Sequence, residues 1–185
     1  MTLTLRERNK LAAMDEVRQV AFEMMSERGF ANVTVEEIAA GSSVSPSTVY
    51  RHFGTKEALV LSTDRPRQFV ERLRDDSSNR SGLEAFERAA LKVWGADDSA
   101  GVEIDLAVAN AALAETFERQ LLDQRGEVAE LFAQRRGKSS PATKDVALAA
   151  ASTAVLATTL FSWRADDSTK PLAKLLTKSL SILTP

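Results

Sequence analysis

Between Ser45 and Lys56 the chain reads SPSTVYRHFGTK, a run of small hydroxyls, one tyrosine, one arginine, the only histidine and one lysine, with no acid among them. Hydroxyls and cations without a neighbouring carboxylate suit the recognition of phosphates and base edges rather than bond breaking. Ser47 and Thr48 are short donors and acceptors fit for either partner. Arg51 can meet a phosphate or a guanine, and His52 can pack or meet a phosphate. Lys56 stands where a new helix starts, so its ammonium and the outward-pointing backbone N–H groups together suit a phosphate.

Two helix starts position these groups. Thr34 and Glu37 form a capping box, with Val33 placed to staple against Ile38. Shortly afterwards Ser45 is a preferred N-cap, Pro46 occupies the first helical position, and Val44 can staple against Val49. The interval leaves room for about two helical turns and a short connection through Ser42 and Ser43, the spacing of a helix-turn-helix. Upstream, Met14, Val17, Ala21, Met24 and Met25 recur at helical spacing until Gly29, so a supporting helix precedes the pair. Gly54 and Thr55 end the reading helix, and Thr55 caps a fourth. Pro66 makes that helix either kink or stop near Ser62 and restart after Asp64.

These residues resemble the DNA-binding half of the tetracycline-repressor-like (TetR) family of bacterial regulators. The resemblance is carried by Glu27-Arg28-Gly29-Phe30, Thr34-Val35, Ile38-Ala39, Val44-Ser45, Tyr50, Phe53 and Lys56-Glu57, in register over residues 10 to 60. It implies a Tyr50 hydroxyl directed at a DNA phosphate, and a DNA-contacting set of Thr34, Ser45, Ser47, Thr48, Tyr50, Arg51, His52 and Lys56. One slot departs from the family pattern: Ser42-Ser43 replaces the usual Ala-Gly. A serine at Ser43 in a positive-φ turn carries modest strain.

Composition bounds the remaining choices. The chain has 185 residues, 44% of them hydrophobic, no cysteine, one histidine and a formal net charge of −2. No disulfide, thiol catalysis or iron–sulfur cluster is available. With the one histidine inside the reading segment, neither a Ser-His-Asp system nor a His/Cys zinc site can be assembled elsewhere. Asp97, Asp98, Glu103 and Asp105 cluster in sequence, but such acids are usually solvated; no cofactor, metal or catalytic residue is expected. The N-terminus lacks the apolar core of a signal peptide, and a cytoplasmic protein is expected. The overall acidity does not exclude DNA, because Arg6, Arg8, Lys10, Arg51 and Lys56 are grouped in the reading half.

Beyond residue 75 everything reads as helix, so the expected fold is all-α: a helix-turn-helix DNA-binding domain over residues 8–56 and a helical effector-binding and dimerisation domain over 57–185. Asp75 to Gly82 is the linker candidate. Helices are expected over Leu83–Trp94, Val102–Ala114, Glu115–Arg136, Thr143–Trp163 and Lys170–Leu183, with breaks at 95–98, 137–141 and 165–168. Val146 to Trp163 carries no charge, yet its alanines and hydroxyls are too weakly hydrophobic for a membrane span. A helix without a charged face must be covered by protein. With the last helix it is expected at a homodimer interface through Ala149, Thr153, Leu156, Leu160, Leu172 and Leu176, in keeping with the four-helix dimer bundle of the resembling family. The core of a monomeric bundle is the alternative use.

The resemblance also implies a small-molecule pocket in the second domain, with Phe86, Trp94, Phe117 and Leu121 as its candidates and an apolar or aromatic effector as its ligand. The function expected is a sequence-specific transcriptional regulator, a repressor released from a palindromic double-stranded operator by that effector. The alternative is a helical ligand-binding or architectural DNA-binding protein without effector control.

Overall fold

The computed structural model describes residues 4–62, 64–78, 80–95, 98–165 and 171–184. All regular structure among them is helical, as the patterning implied, and the chain divides into two compact units, Met1–Ser62 and Thr63–Pro185.

In the first unit α1 (Leu5–Arg28) opens on a capping box: Thr4 Oγ1 accepts from Glu7 N–H, and the Glu7 carboxylate accepts from Thr4 N–H at 2.8 Å. Its buried stripe is Met14, Val17, Ala21 and Met25, with Met24 half-buried at its edge. Gly29 ends the helix at φ 81°, a conformation that favours glycine. After a 3₁₀ turn at Phe30–Asn32 come α2 (Val35–Gly41), α3 (Pro46–Phe53) and the single turn α4 (Glu57–Val60). Helices α2 and α4 pack on α1, and α3 packs on α2. Val33, Ile38, Val49, Leu59 and Val60 fill the space between them.

The fourth helix takes the interrupted course. It ends at Leu61 in extended backbone, and α5 (Asp64–Arg74) starts anew with Pro66 in its first turn, where an N–H has no intrahelical partner to lose.

The second unit comprises α5, α6 (Gly82–Trp94), α7 (Asp98–Ala109), α8 (Ala111–Leu122), α9 (Arg125–Arg135), α10 (Thr143–Ala165) and α11 (Leu172–Leu180), the last followed by a 3₁₀ turn. Helix α10 is its axis, packed against α7, α8, α9 and α11, while α5 lies on α6 and α9. It is long and apolar enough to cross a membrane, but here one side of it is core. At its first turn the buried Asp145 accepts from Arg136 Nε at 3.0 Å and from Ala142 N–H at 2.8 Å. Burial opposes ionisation of this carboxyl, yet those donors outweigh it and hold its pKa below the usual value.

Three expectations are corrected. The helix drawn through Val102–Ala114 breaks at Asn110, whose side chain accepts from the N–H groups of Ala112 and Leu113 and so caps α8. The helix drawn over Glu115–Arg136 breaks at Asp123 and Gln124, giving α8 and α9. Asp75 to Gly82, the linker candidate, is a loop inside the second unit: Arg135 donates to the carbonyls of Leu73, Asp76 and Ser78, and Ser81 caps α6 in a box with Glu84. Asn79, in that loop, Ala96 and Asp97, in the first break, and 166–170 lie outside the described residues.

Candidate nucleic-acid interface

Everything that presents α3 is local. Thr34 N–H and Oγ1 donate to Glu37 Oε2 at 2.8 and 2.9 Å, and Arg28 donates to the other carboxylate oxygen at 2.7 Å. The Thr34 N–H, then Arg28 and the Thr34 hydroxyl, draw the Glu37 pKa down to about 2. The turn that follows contains Ser43 at φ 54°, the only non-glycine with positive φ among the described residues. This is the strain foreseen where the family pattern has glycine. Its neighbour Ser42 is buried and donates to Ile38 O at 2.8 Å, satisfying the end of α2.

Ser45 then caps α3 by accepting from Thr48 N–H at 3.3 Å. Val49 is buried and Phe53 half-buried on one side of the helix, while Ser47, Arg51 and His52 are exposed and Thr48 is half-buried. The hydroxyls are linked: Ser45 Oγ lies 3.1 Å from Ser47 Oγ and 2.9 Å from Thr48 Oγ1, and Arg51 donates to Thr48 Oγ1 at 3.2 Å. Tyr50 is 47% exposed, too open for a purely core aromatic. Lys56 Nζ sits 4.3 Å above the Phe30 ring, which holds the ammonium at the surface. Of the expected set, Ser47, Thr48, Tyr50, Arg51 and His52 share this helix. Lys56 follows it, and Thr34 and Ser45 are the two caps, their hydroxyls engaged within the chain.

No motif in the sequence marks Arg18. Its guanidinium lies 5.4 Å over the Phe53 ring and donates to Ala58 O at 3.5 Å, tying α1 to the end of α3 and to α4. His52 meets the Phe53 ring edge-on at 4.7 Å. Partial burial, followed by the charges of Lys10 and Arg18, lowers the His52 pKa and so favours the neutral imidazole.

In the second unit Phe86, Trp94, Phe117 and Leu121 are all buried, at 3% exposure or less. They fall into two groups. Phe86 and Trp94 contact Phe69, at 4.9 and 5.6 Å between ring centroids, whereas Phe117 meets Phe161 at 5.4 Å. Trp94 Nε1 is the one buried side-chain polar atom without a hydrogen-bond partner among the described residues. At the preceding residue, Val93, the carbonyl accepts from Arg65 at 3.2 Å, and Arg65 also donates to the buried Glu103 at 2.7 Å. Asp105 pairs instead with Arg164 at 2.6 Å, so the two acids face different arginines.

The residues expected at a dimer interface, Ala149, Thr153, Leu156, Leu160, Leu172 and Leu176, are at most 4% exposed in the single chain. Helices α10 and α11 leave a different surface open. Ala154, Val155, Thr158, Leu175, Lys178, Ser179 and Ile182 line a groove of about 560 Å³, with Ile182 74% exposed.

Two family models match the chain. Residues 17–63 match the bacterial regulatory proteins of the tetR family, and residues 85–185 match the MftR C-terminal domain of a TetR-type regulator. The HTH-type transcriptional regulator TcmR of Streptomyces glaucescens is 28% identical over 145 residues, covering 72% of this chain and 64% of TcmR. The transcriptional repressor Rv3405c of Mycobacterium tuberculosis is 46% identical over 44 residues, 24% of this chain and 23% of its own length. Among solved structures, a TetR-family regulator from Rhodococcus sp. superposes with a TM-score of 0.63 at 17% identity, covering 94% and 98% of the two chains. FadR of Bacillus subtilis, in complex with stearoyl-CoA, gives 0.59 at 22% identity, covering 91% and 96%.

Proposed function

Because the chain belongs to the TetR family of bacterial transcriptional regulators, DNA-binding proteins rather than enzymes, we propose that it is a homodimeric cytoplasmic repressor, held on a palindromic operator by α3 and released by a small apolar or aromatic ligand. The observation that carries the DNA-binding half is the outward face of α3. Ser47 and Arg51 lie opposite the buried Val49, with Thr48 and Tyr50 on either side and Lys56 just beyond the helix. The first turn of such a helix reads base edges, and the flanking Tyr50 and Lys56 suit phosphates.

The dimer surface in this proposal is the open groove of α10 and α11. One side of the uncharged helix is covered by its own chain, and the other presents Ala154, Val155 and Thr158 beside Ile182. A second copy would bury that apolar stripe, with small side chains allowing close approach. The six interface residues expected from sequence become the layer beneath it.

Effector control is supported by Trp94. A buried indole N–H without an acceptor costs about 1–3 kcal/mol, and a ligand that brings an acceptor to Nε1 while filling apolar space recovers that cost only in the bound arrangement. Such differential affinity is what shifts a population between two states.

Footprinting on the promoter of its own gene tests the DNA-binding half. Tyr50→Phe and Lys56→Ala should weaken binding alike on every operator variant. For Lys56→Ala the salt slope should also fall by about one unit. Substitutions at Ser47 or Thr48 should instead change which variants are preferred, by about 1–3 kcal/mol per strong base contact at most. If none of the four altered operator affinity, α3 would not be the reader.

A further inference from the structure

We propose that the first two turns of α1 are a second DNA-binding element, in which Arg6 and Lys10 dock on backbone phosphates of the duplex just outside the stretch covered by α3. The proposal rests on α3 being the reading helix.

Helix α1 begins well before the domain it supports. Residues 4–12 are all exposed, and the first buried side chain is Met14. The capping box of Thr4 and Glu7 nonetheless fixes the helix start, so these turns are a defined overhang rather than a loose tail. At 1.5 Å per residue the Arg6 Cα stands about 12 Å beyond that of Met14 along the axis.

The phase of the overhang decides what it presents. Arg6, Lys10 and Met14 follow one another at a spacing of four, and Val17 and Ala21 continue the row. The face that is core from Met14 onward is therefore the face that carries two cations before it. Neither cation has a hydrogen-bond or ion-pair partner among the described residues, and Glu7 points its carboxylate back to Thr4.

That face leads to the reading helix. Arg18, two turns beyond Lys10, lies over Phe53, and Phe53 meets His52 in the last turn of α3. The charge of Lys10 reaches His52 itself, where it helps to depress the imidazole pKa. Basic groups thus run along α1 from Arg18, at the end of α3, through Lys10 to Arg6. A duplex carries about one negative charge per 1.7 Å of axis, and it extends past the half-site in that direction.

The test uses the full-length protein and a duplex operator selected by that protein from random DNA. Arg6→Gln with Lys10→Gln keeps good helix formers and removes two charges. The expected result is a salt slope lower by about 1.8 units and an affinity reduced roughly 10- to 60-fold at 0.1 M salt. Hydroxyl-radical protection should also be lost on the flanks while the centre stays protected. Trimming the duplex to the half-sites should weaken the wild type by a similar factor and leave the double variant unchanged. Lys138→Gln with Lys144→Gln, two exposed lysines of the second unit, should leave slope and flanks as they were. A double variant with the wild-type slope and the wild-type response to trimming overturns the proposal while the reading by α3 stands. A wild-type protein that protects no operator removes both.

Discussion

Replacing Trp94 by Phe separates a buried indole with no acceptor from an ordinary core tryptophan. Trp94 is 1% exposed and packed against Phe69. Phenylalanine keeps the aromatic contact but buries roughly 50 Å² less area, a loss of about 1 kcal/mol at 25 cal/mol per Å². A residual gap where the larger ring stood adds to that loss. Against it, the substitution removes an unsatisfied N–H whose desolvation costs about 1–3 kcal/mol. The two nearly cancel, so Trp94→Phe should lie within about 1 kcal/mol of the wild type in urea denaturation at unchanged m-value. Trp94→Ala should lose about 3–5 kcal/mol. Release from the operator should not follow stability: Trp94→Phe, though stable, should raise the half-release concentration of inducer roughly 2- to 12-fold, the equivalent of one hydrogen bond. Fluorescence anisotropy of labelled operator reads this directly. A Trp94→Phe protein destabilised by 3 kcal/mol or more, with an unchanged induction curve, would refute both the orphan N–H and the pocket built on it.

Ala154→Glu and Ile182→Glu place charges in the open groove of α10 and α11 and should halve the sedimenting mass without loss of helix signal; a wild type that is already monomeric at micromolar concentration would defeat the dimer surface. The depressed pKa of Glu37 means that its ionised form stabilises the fold above about pH 4.5, and that this contribution is lost as pH falls towards about 2. Glu37→Gln should flatten that part of the acid-unfolding curve, and an unchanged curve would show that the capping box does not govern it.

The reading half was legible in the sequence because its signals are local. A capping box, an N-cap followed by proline, and a glycine at positive φ each specify a boundary within a few residues, and Thr34, Ser45 and Gly54 stand where those rules put them. Asn110 is a strong cap, but a polar residue inside a periodic run also reads as solvent face, so the pattern does not mark the break. The break at Asp123 and Gln124 has no glycine or proline to mark it. Helix α10 concealed more: with no charged residue between Val146 and Trp163, nothing in the sequence tells the side covered by its own chain from the open side, so Ala149 and Leu156 could not be distinguished from Ala154 and Val155. The partnerless indole of Trp94 and the overhang of α1 are properties of tertiary packing, which no local pattern encodes.

The most direct test of the central claim is selection of the wild-type protein on random duplex DNA, repeated with a Ser47 or Thr48 substitution. Two copies of α3 reading successive major grooves predict an inverted repeat with half-site centres about 34–36 Å apart, or a multiple of it, and each substitution should change base preference inside both half-sites symmetrically. Enrichment of no motif, or of a motif without two-fold symmetry that is indifferent to α3, would contradict it.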